Sequence, residues 1–328
     1  MQAAYIEEFG PPGAIRHGAL PAPLPGPADV LVDTLAVSVN PVDTFVRAGT
    51  WRTRLSFPFV IGRDLVGTVA AVGSGAAGFS VGDLVWCNSL GHDGRQGAAA
   101  EQAVVPVDRL YHLADTVRPV DAVAVLHPAA TGYLALFTHG RLRAGETVLV
   151  AGAAGNVGSA MVVLAAEAGA RVLATARPED AEYCLGLGAT AVVDYRDPGL
   201  PERVRDLSPH GVDLFVDTSG HNDLPVAVDL LAFRGRVVLL AGLRSRPVLP
   251  VGPLYLKDGS VTGFVISRAT TSELADAART LNRLLATGRL RARTVEEQPL
   301  SGAAEAHARL ERGELHGRRV VLLPDRVL

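Results

Sequence analysis

A glycine-rich turn is the part of this sequence whose residue types and spacing most directly suggest ligand chemistry. It lies between a β-branched apolar run and an alanine-rich stretch, and it contains Gly152, Ala153, Gly155, Asn156, Val157 and Gly158. Small residues let a backbone approach a pyrophosphate closely, and a helix that begins there offers unpaired N–H groups at its positive end. The turn therefore predicts dinucleotide binding, although its spacing is not the strict G-x-G-x-x-G form and such turns also serve packing.

The end of the next predicted strand, at residues 171–175, indicates which dinucleotide binds. NAD sites place an Asp or Glu there for the ribose 2′-OH, whereas this chain has Thr175 and then Arg177. A guanidinium suits a 2′-phosphate, because it makes charge-assisted contacts. We therefore expect NADPH. In the alternative interpretation, Arg177 is a solvated surface residue, and Glu179 and Asp180 are more important for the choice of dinucleotide.

Alternating strands and helices are needed to hold these residues in place. Apolar runs predict strands at 147–151, 171–175, 191–195, 213–217 and 236–240. Helices are predicted between them, at 157–168, 179–187 and 222–232. This pattern is typical of a parallel sheet covered on both faces, while the first third of the chain is β-rich. Two further helices, at 272–287 and 303–312, precede a last strand at 319–323.

Composition argues against several classes of partner. With 31 basic and 34 acidic residues and 5% aromatic residues, the chain has no basic or base-stacking surface for nucleic acid and no polybasic segment for a membrane. Two cysteines cannot form a disulfide framework, which favours a cytoplasmic setting. The uncharged stretch 147–166 has the length of a membrane span, but its glycine cluster predicts a strand, a turn and a helix instead.

Several motifs occur in the order typical of one superfamily. They are Asn40-Pro41-Val42-Asp43-Thr44, Arg47-Ala48-Gly49, and the stretches 58–67, 82–85, 145–158, 303–307 and 317–322. On these motifs the chain resembles the medium-chain dehydrogenase/reductase superfamily, in particular its zinc-independent quinone oxidoreductase branch, which includes ζ-crystallin. The resemblance implies an α/β fold, a doubly wound Rossmann sheet at 121–262 inserted into a GroES-like β-rich catalytic domain at 1–120 and 263–328. It also implies a homodimer joined through the edge strand near 261–265.

The same resemblance implies roles for individual residues. Asn40, Asp43 and Thr131 would face the substrate or the nicotinamide. For the cofactor, the resemblance implies Tyr195 and Arg318 near the adenosine phosphate and Ser219 and Gly242 near the nicotinamide, in addition to the turn, Thr175 and Arg177. Phe264 is a further candidate for the cofactor site and is alternatively a core residue.

Two positions have a functional and a structural interpretation. Arg63 either stabilises a developing enolate or quinol oxygen or pairs with Asp64 or another carboxylate. His127, which the pattern places just before the helix that carries Thr131, either donates a proton or is a capping or packing residue. The sequence does not choose between these interpretations.

The expected zinc ligands are replaced in this sequence. Zinc-dependent relatives need a Cys near position 40, a Gly-His-Glu motif and a further ligand, whereas this chain has Asn40 and Gly62-Arg63-Asp64. We therefore expect no metal, and an acceptor that delocalises the negative charge itself. The predicted function is hydride transfer from NADPH to a quinone-type conjugated carbonyl. The alternatives are an enone or enoyl reductase and a non-catalytic NADPH-binding protein.

Overall fold

The computed structural model describes residues 1–325, which contain sixteen strands and nine α-helices. The strands are β1 (Gln2–Ile6), β2 (Arg16–Ala19), β3 (Asp29–Ser38), β4 (Phe59–Val60), β5 (Asp64–Val72), β6 (Leu84–Cys87), β7 (Gln102–Pro106), β8 (Tyr111–His112), β9 (Thr147–Ala151), β10 (Arg171–Ala176), β11 (Ala191–Asp194), β12 (Val212–Asp217), β13 (Leu231–Leu239), β14 (Ser260–Gly263), β15 (Val295–Pro299) and β16 (Arg319–Leu323). The helices are α1 (Pro41–Arg47), α2 (Pro119–Tyr133), α3 (Asn156–Glu167), α4 (Ala181–Leu187), α5 (Leu200–Leu207), α6 (Leu224–Asp229), α7 (Val251–Leu256), α8 (Thr271–Ala286) and α9 (Ala303–Glu311).

The chain divides into two compact units. The first comprises Met1–His127 and the chain from Leu274 onward, and the second comprises Pro128–Glu273. The unit boundaries fall at 127/128 and 273/274, whereas the sequence predicted domain boundaries at 120/121 and 262/263. The first unit boundary lies inside α2, so no loop marks it in the sequence.

The first unit is built on antiparallel pairing around β3. Its larger sheet has the order β15-β16-β3-β5-β6-β8, with β7 also paired to β3, and a small sheet has the order β2-β1-β4. The pairing of β3 with β5 sets Ser38 directly opposite Asp64. Directly opposite residues of an antiparallel pair share one face. This register brings two polar side chains together at the end of β3.

The second unit holds a parallel sheet in the order β11-β10-β9-β12-β13-β14. Val148, Leu149 and Val150 in the central strand β9 are all fully buried. Successive strand residues point to opposite faces, so both faces of this sheet are covered. The arrangement confirms the predicted α/β fold with a Rossmann-type sheet.

The prediction that His127 precedes the helix carrying Thr131 is wrong. His127 lies inside this helix, not before it, and Pro128 is an interior residue that leaves the helix unbroken. An interior proline removes the N–H that would bond the carbonyl four residues earlier. Here that carbonyl belongs to Ala124, and it accepts a hydrogen bond from Arg319 Nε at 2.8 Å. A contact distant in the sequence therefore compensates for the missing donor.

The same helix, with its π-helical continuation, forms the 21-residue stretch Pro119–His139, which is long and apolar enough to cross a membrane. Of its apolar window, 78% is buried within the protein, which is the behaviour of a core helix. The uncharged stretch at 147–166 forms β9, the glycine turn and most of α3, as predicted.

Candidate active site

A buried polar cluster in the first unit is centred on Asp64, whose exposed fraction is 0%. Its Oδ2 accepts hydrogen bonds from Ser38 Oγ at 2.7 Å and from Asn40 Nδ2 at 2.9 Å. Its Oδ1 lies 3.1 Å from Nδ1 of His127. Both carboxylate oxygens are therefore engaged, and Asp64 joins β3, β5 and α2.

Arg319 fixes the orientation of Asn40 in this cluster. Its Nη2 donates to Asn40 Oδ1 at 2.8 Å, so the amide directs its NH₂ group to Asp64. Burial lowers the pKa of Arg319, and the nearby carboxylates Asp64 and Asp43 oppose that change. The hydrogen bonds thus run without interruption from the Ala124 carbonyl through Arg319, Asn40 and Asp64 to His127.

Asp43 lies beside this network, in the first turn of α1. The helix begins at Pro41, and the Asn40 N–H donates to Asp43 Oδ2 at 2.7 Å. Asp43 Oδ1 is buried, with no hydrogen-bond partner among residues 1–325. Burial, and next the charge of Asp64, raise the pKa of Asp43 to about 7. This carboxyl can therefore exchange a proton near neutral pH.

Arg63 is 2% exposed and lies close enough to Asp43 and Asp64 to interact with both charges. Burial lowers its pKa, and the two carboxylates oppose the change. Its Nη1 lies 3.5 Å from the Gly91 carbonyl. The structure thus brings Arg63 together with Asn40 and Asp43, as countercharge to the carboxylates, and its action on an acceptor oxygen stays a prediction.

Thr131, the remaining substrate-side candidate, belongs to the second unit and is 8% exposed. It lies on α2, four residues after His127. Residues at this spacing lie on one face of a helix, one turn apart.

The glycine turn of the second unit has the shape of a phosphate cradle. Gly152 has a positive φ of 79°. Helix α3 begins directly after its N-cap residue Gly155, and no side chain caps this end of the helix. A Cβ on Gly158 would lie 2.2 Å from the Gly152 carbonyl oxygen, so only glycine permits this packing of turn on helix. The residues present therefore fit a pyrophosphate at the N-terminus of α3.

Thr175 supports this turn from the neighbouring strand. It is 4% exposed, and its Oγ1 accepts from the Gly152 N–H at 3.3 Å while its carbonyl accepts from the Ala153 N–H at 3.0 Å. Thr175 therefore holds the glycine turn through two hydrogen bonds, and very little of its side chain is exposed to a ligand.

Arg177 and Tyr195 meet at the carboxyl ends of β10 and β11. Arg177 Nε donates to Tyr195 Oη at 3.4 Å, and Arg177 also pairs with Glu179 at 3.8 Å. Both Arg177 and Tyr195 are substantially exposed, so a ligand phosphate can reach them. Arg318 lies in the first unit, in the exposed turn before β16.

The loops after β12 and β13 hold the other predicted cofactor residues. Asp217 accepts from the Ser219 N–H at 2.7 Å and from the Asn222 N–H at 2.6 Å. Asn222 Nδ2 donates to the Ala241 carbonyl at 3.0 Å and so joins the two loops. Gly242 has a φ of +87°, and a Cβ there would lie 2.6 Å from the Gly220 carbonyl oxygen, so glycine is required at this position.

Phe264 follows β14, and its half-buried ring stacks on His139 with centroids 4.4 Å apart. The structure therefore gives this ring a packing contact within its own unit. A contact with the cofactor stays a prediction.

Comparison with known proteins establishes the family. The family profile described as "Alcohol dehydrogenase GroES-like domain" matches residues 26–115, and that described as "Zinc-binding dehydrogenase" matches 156–283. Quinone oxidoreductase of Mus musculus is 30% identical over 98% of both chains. The crystal structure of a quinone oxidoreductase from Pseudomonas syringae has a TM-score of 0.85 at 29% identity, covering 98% of this chain and 99% of that one. A mycobacterial protein in complex with NADPH has a TM-score of 0.83 at 32% identity, covering 99% of this chain and 100% of that one.

The chain is a medium-chain dehydrogenase/reductase of the quinone oxidoreductase branch. It is therefore an oxidoreductase that uses a nicotinamide cofactor. This confirms the family and the enzyme class predicted from the motifs.

As a member of this superfamily, the protein has a distinctive arrangement where zinc-dependent relatives bind metal. Asn40 and Arg63, which stand at expected ligand positions, are bound into the Asp64 cluster. No three His, Cys, Asp or Glu side chains within residues 1–325 are grouped to hold a metal ion. Independence of zinc remains a prediction.

Sequence reasoning missed several residues that organise this reductase. Arg319, Asp217 and Asn222 were not singled out, and Asp64 was considered only as a partner for Arg63. The polar residue Asn222 adopts a positive φ of 56° between Gly220 and Asp223. The sequence Asp-x-Ser after a predicted strand was an available signal for the Asp217 turn, since Asp side chains commonly bond the backbone two residues on.

Proposed function

We propose that this protein reduces a quinone-type conjugated carbonyl with NADPH and without zinc. The observation that carries the cofactor choice is the Arg177–Tyr195 pair at the end of β10, where an NAD site would have a carboxylate. The NADPH complex of the mycobacterial relative supports this choice. The quinone oxidoreductases among the relatives support the acceptor class.

Each group of residues has a part in this proposal. The turn at 152–158 binds the pyrophosphate, and Arg177 with Tyr195 binds the 2′-phosphate. The loops at Ser219 and Gly242 approach the nicotinamide, which supplies the hydride when the cofactor is bound. The cluster of Asn40, Asp43 and Asp64 offers hydrogen bonds to the acceptor.

A conjugated acceptor suits this set of groups. Hydride addition to a quinone places the negative charge on an oxygen that is stabilised by aromatisation, so hydrogen bonds can replace a Lewis acid. Balanced charge favours a small-molecule partner, and a content of two cysteines favours a cytoplasmic location.

The decisive experiment follows the oxidation of reduced cofactor by chelator-treated protein. Benzoquinone and a cyclic enone are compared, each with NADPH and NADH. Arg177→Ala should lower kcat/KM for NADPH by about 10- to 100-fold, the cost of a lost charge-assisted contact, and leave NADH nearly unchanged. Arg171→Ala is the matched control, because Arg171 is exposed at the opposite end of the same strand.

Turnover of benzoquinone with NADPH preference, lost in the Arg177 variant alone, supports the proposal. Turnover of the enone alone would assign an enone reductase. Tight NADPH binding with no oxidation by either acceptor would contradict catalysis of this class.

A further inference from the structure

His127 is held in a single orientation by the carboxylate of Asp64. The imidazole is 7% exposed, and its Nδ1 lies 3.1 Å from Asp64 Oδ1. Asp64 Oδ2 already accepts from Ser38 and Asn40, so the carboxylate acts as an acceptor throughout. We therefore assign Nδ1 as the donor to Asp64 Oδ1 and Nε2 as the nitrogen that carries the proton to be transferred.

The surroundings of His127 place it in the candidate acceptor site. Asn40 and His127 bind the two oxygens of the same carboxylate, and the charge of His127 acts on Asp43. Two candidates for the substrate side, Asn40 and Asp43, are thus neighbours of this imidazole, through the shared carboxylate and a charge interaction.

We propose that His127, oriented by Asp64, is the general acid of the reduction, a proposal that rests on the proposed function. The acceptor gains a hydride from the reduced nicotinamide, which is thereby oxidised, and a proton from the imidazolium. The Nε2–H bond breaks, its electron pair stays on nitrogen, and the proton joins the oxygen or α-carbon that carries the negative charge. Solvent then reprotonates the neutral imidazole.

Two titratable groups act directly on this histidine: Asp64 on β5, through the hydrogen bond, and Asp43 on α1, through its charge. The charges of Arg63 before β5, Cys87 on β6 and Arg319 on β16 act in turn on Asp64. Asp43 has a pKa of about 7, so proton transfer from Asp43 must be separated from proton transfer from His127.

The test compares His127→Asn with the native enzyme. An Asn amide can still donate to Asp64 in place of Nδ1, but it cannot act as an acid. We expect kcat to fall about 100-fold, within the usual effect of general acid catalysis, while the Kd for NADPH stays within about twofold. The native enzyme should show a solvent deuterium isotope effect on kcat, because a proton leaves Nε2 during the reduction, and this effect should disappear in the variant.

Three further variants complete the design. Asp43→Asn should retain the solvent isotope effect, because the transferred proton comes from His127. Asp64→Asn should weaken turnover through misorientation of the imidazole. His307→Gln is the matched control, since His307 is a buried histidine of the same unit, and it should alter stability but not the isotope effect.

The outcomes are distinguishable. If His127→Asn binds NADPH and keeps the native kcat and isotope effect, the proposal is wrong while the proposed function stands. If the native protein oxidises NADPH with neither acceptor, the proposed function fails first. If His127→Asn does not fold, a native enzyme without a solvent isotope effect would overturn the proposal, and one with an effect that Asp64→Asn changes would support it.

Discussion

Asp43 has one carboxylate oxygen bonded to the Asn40 N–H and the other buried without a partner among the described residues. Its pKa rises from the ordinary 3.8 to about 7, chiefly because burial disfavours the charged form. The folded protein therefore binds a proton that the unfolded chain releases between these two pH values. The contribution of Asp43 to the free energy of unfolding is fully present below pH 4, falls as the pH rises through this window, and is lost above pH 7.

Asp43→Asn removes this cost while keeping an oxygen that can accept from Asn40. Relative to the native protein, the variant should become more stable as the pH rises above 4, by about 1.4 kcal/mol for each pH unit and by about 4 kcal/mol above pH 7. Urea unfolding at several pH values measures this difference. Asp115→Asn, at an exposed carboxylate, is the control. Parallel stability curves for Asp43→Asn and the native protein would contradict the prediction.

Among individual residues, the sequence motifs identified part of the buried polar cluster around Asp64. Asn40, Asp43 and Arg63 were predicted as site residues, and the structure places them together in the first unit. Arg319 could not be found in this way, because its bond to Asn40 joins residues 279 positions apart. Arginine is usually a surface residue, so the sequence offered no reason to place Arg319 in the cluster. Its role follows from its burial and from its long-range bond to Asn40.

Among the elements, α2 differs most from its prediction. The sequence Leu-His-Pro suggests the start of a helix, since proline is favoured in the first turn. The helix instead begins at Pro119 and passes through Pro128, because Arg319 satisfies the Ala124 carbonyl. For β9, by contrast, the local sequence pattern predicted the strand correctly, and the observed bounds match the predicted 147–151. Strand β13 begins five residues before its predicted start at 236, and its interior Arg234 has a positive φ that interrupts the pattern.

The compensation of Pro128 by Arg319 can be measured with a double-mutant cycle. Arg319→Met leaves the Ala124 carbonyl and Asn40 Oδ1 without their donor, and it should destabilise the protein by about 3 kcal/mol. Pro128→Ala supplies an N–H within the helix that can bond the same carbonyl. The double variant should therefore recover about 1 kcal/mol relative to the sum of the single effects.

Urea unfolding of the four proteins gives the coupling energy. Arg312→Met, at a partly exposed arginine on α9's C-terminal side, is the control for loss of an arginine. Additive single effects would show that the proline and the arginine act independently.

For the whole molecule, the superfamily motifs predicted the α/β architecture, because they recur in order along nearly the full chain. The division into units was harder to place, since a continuous helix crosses one boundary. Quaternary structure was expected only from the resemblance, as a homodimer. The second unit has features that suit such an interface: β14 is the last strand of its sheet, and Val251, Tyr255 and Leu256 on α7 are 61%, 66% and 72% exposed.

We propose that these exposed apolar side chains and the edge of β14 are covered by a second copy of the chain. An edge strand offers unpaired N–H and C=O groups, and a two-fold axis lets one patch cover itself. Light scattering coupled to size exclusion should then give twice the 34.2 kDa mass of the chain. Replacing Tyr255 with Asp and Leu256 with Glu should shift the protein to the monomer, because charges would be buried unpaired in the interface. Leu185→Glu, at a 46% exposed leucine on α4, is the matched control and should leave the mass unchanged. A native monomer, or a dimer that tolerates both charges, would place the interface elsewhere or exclude it.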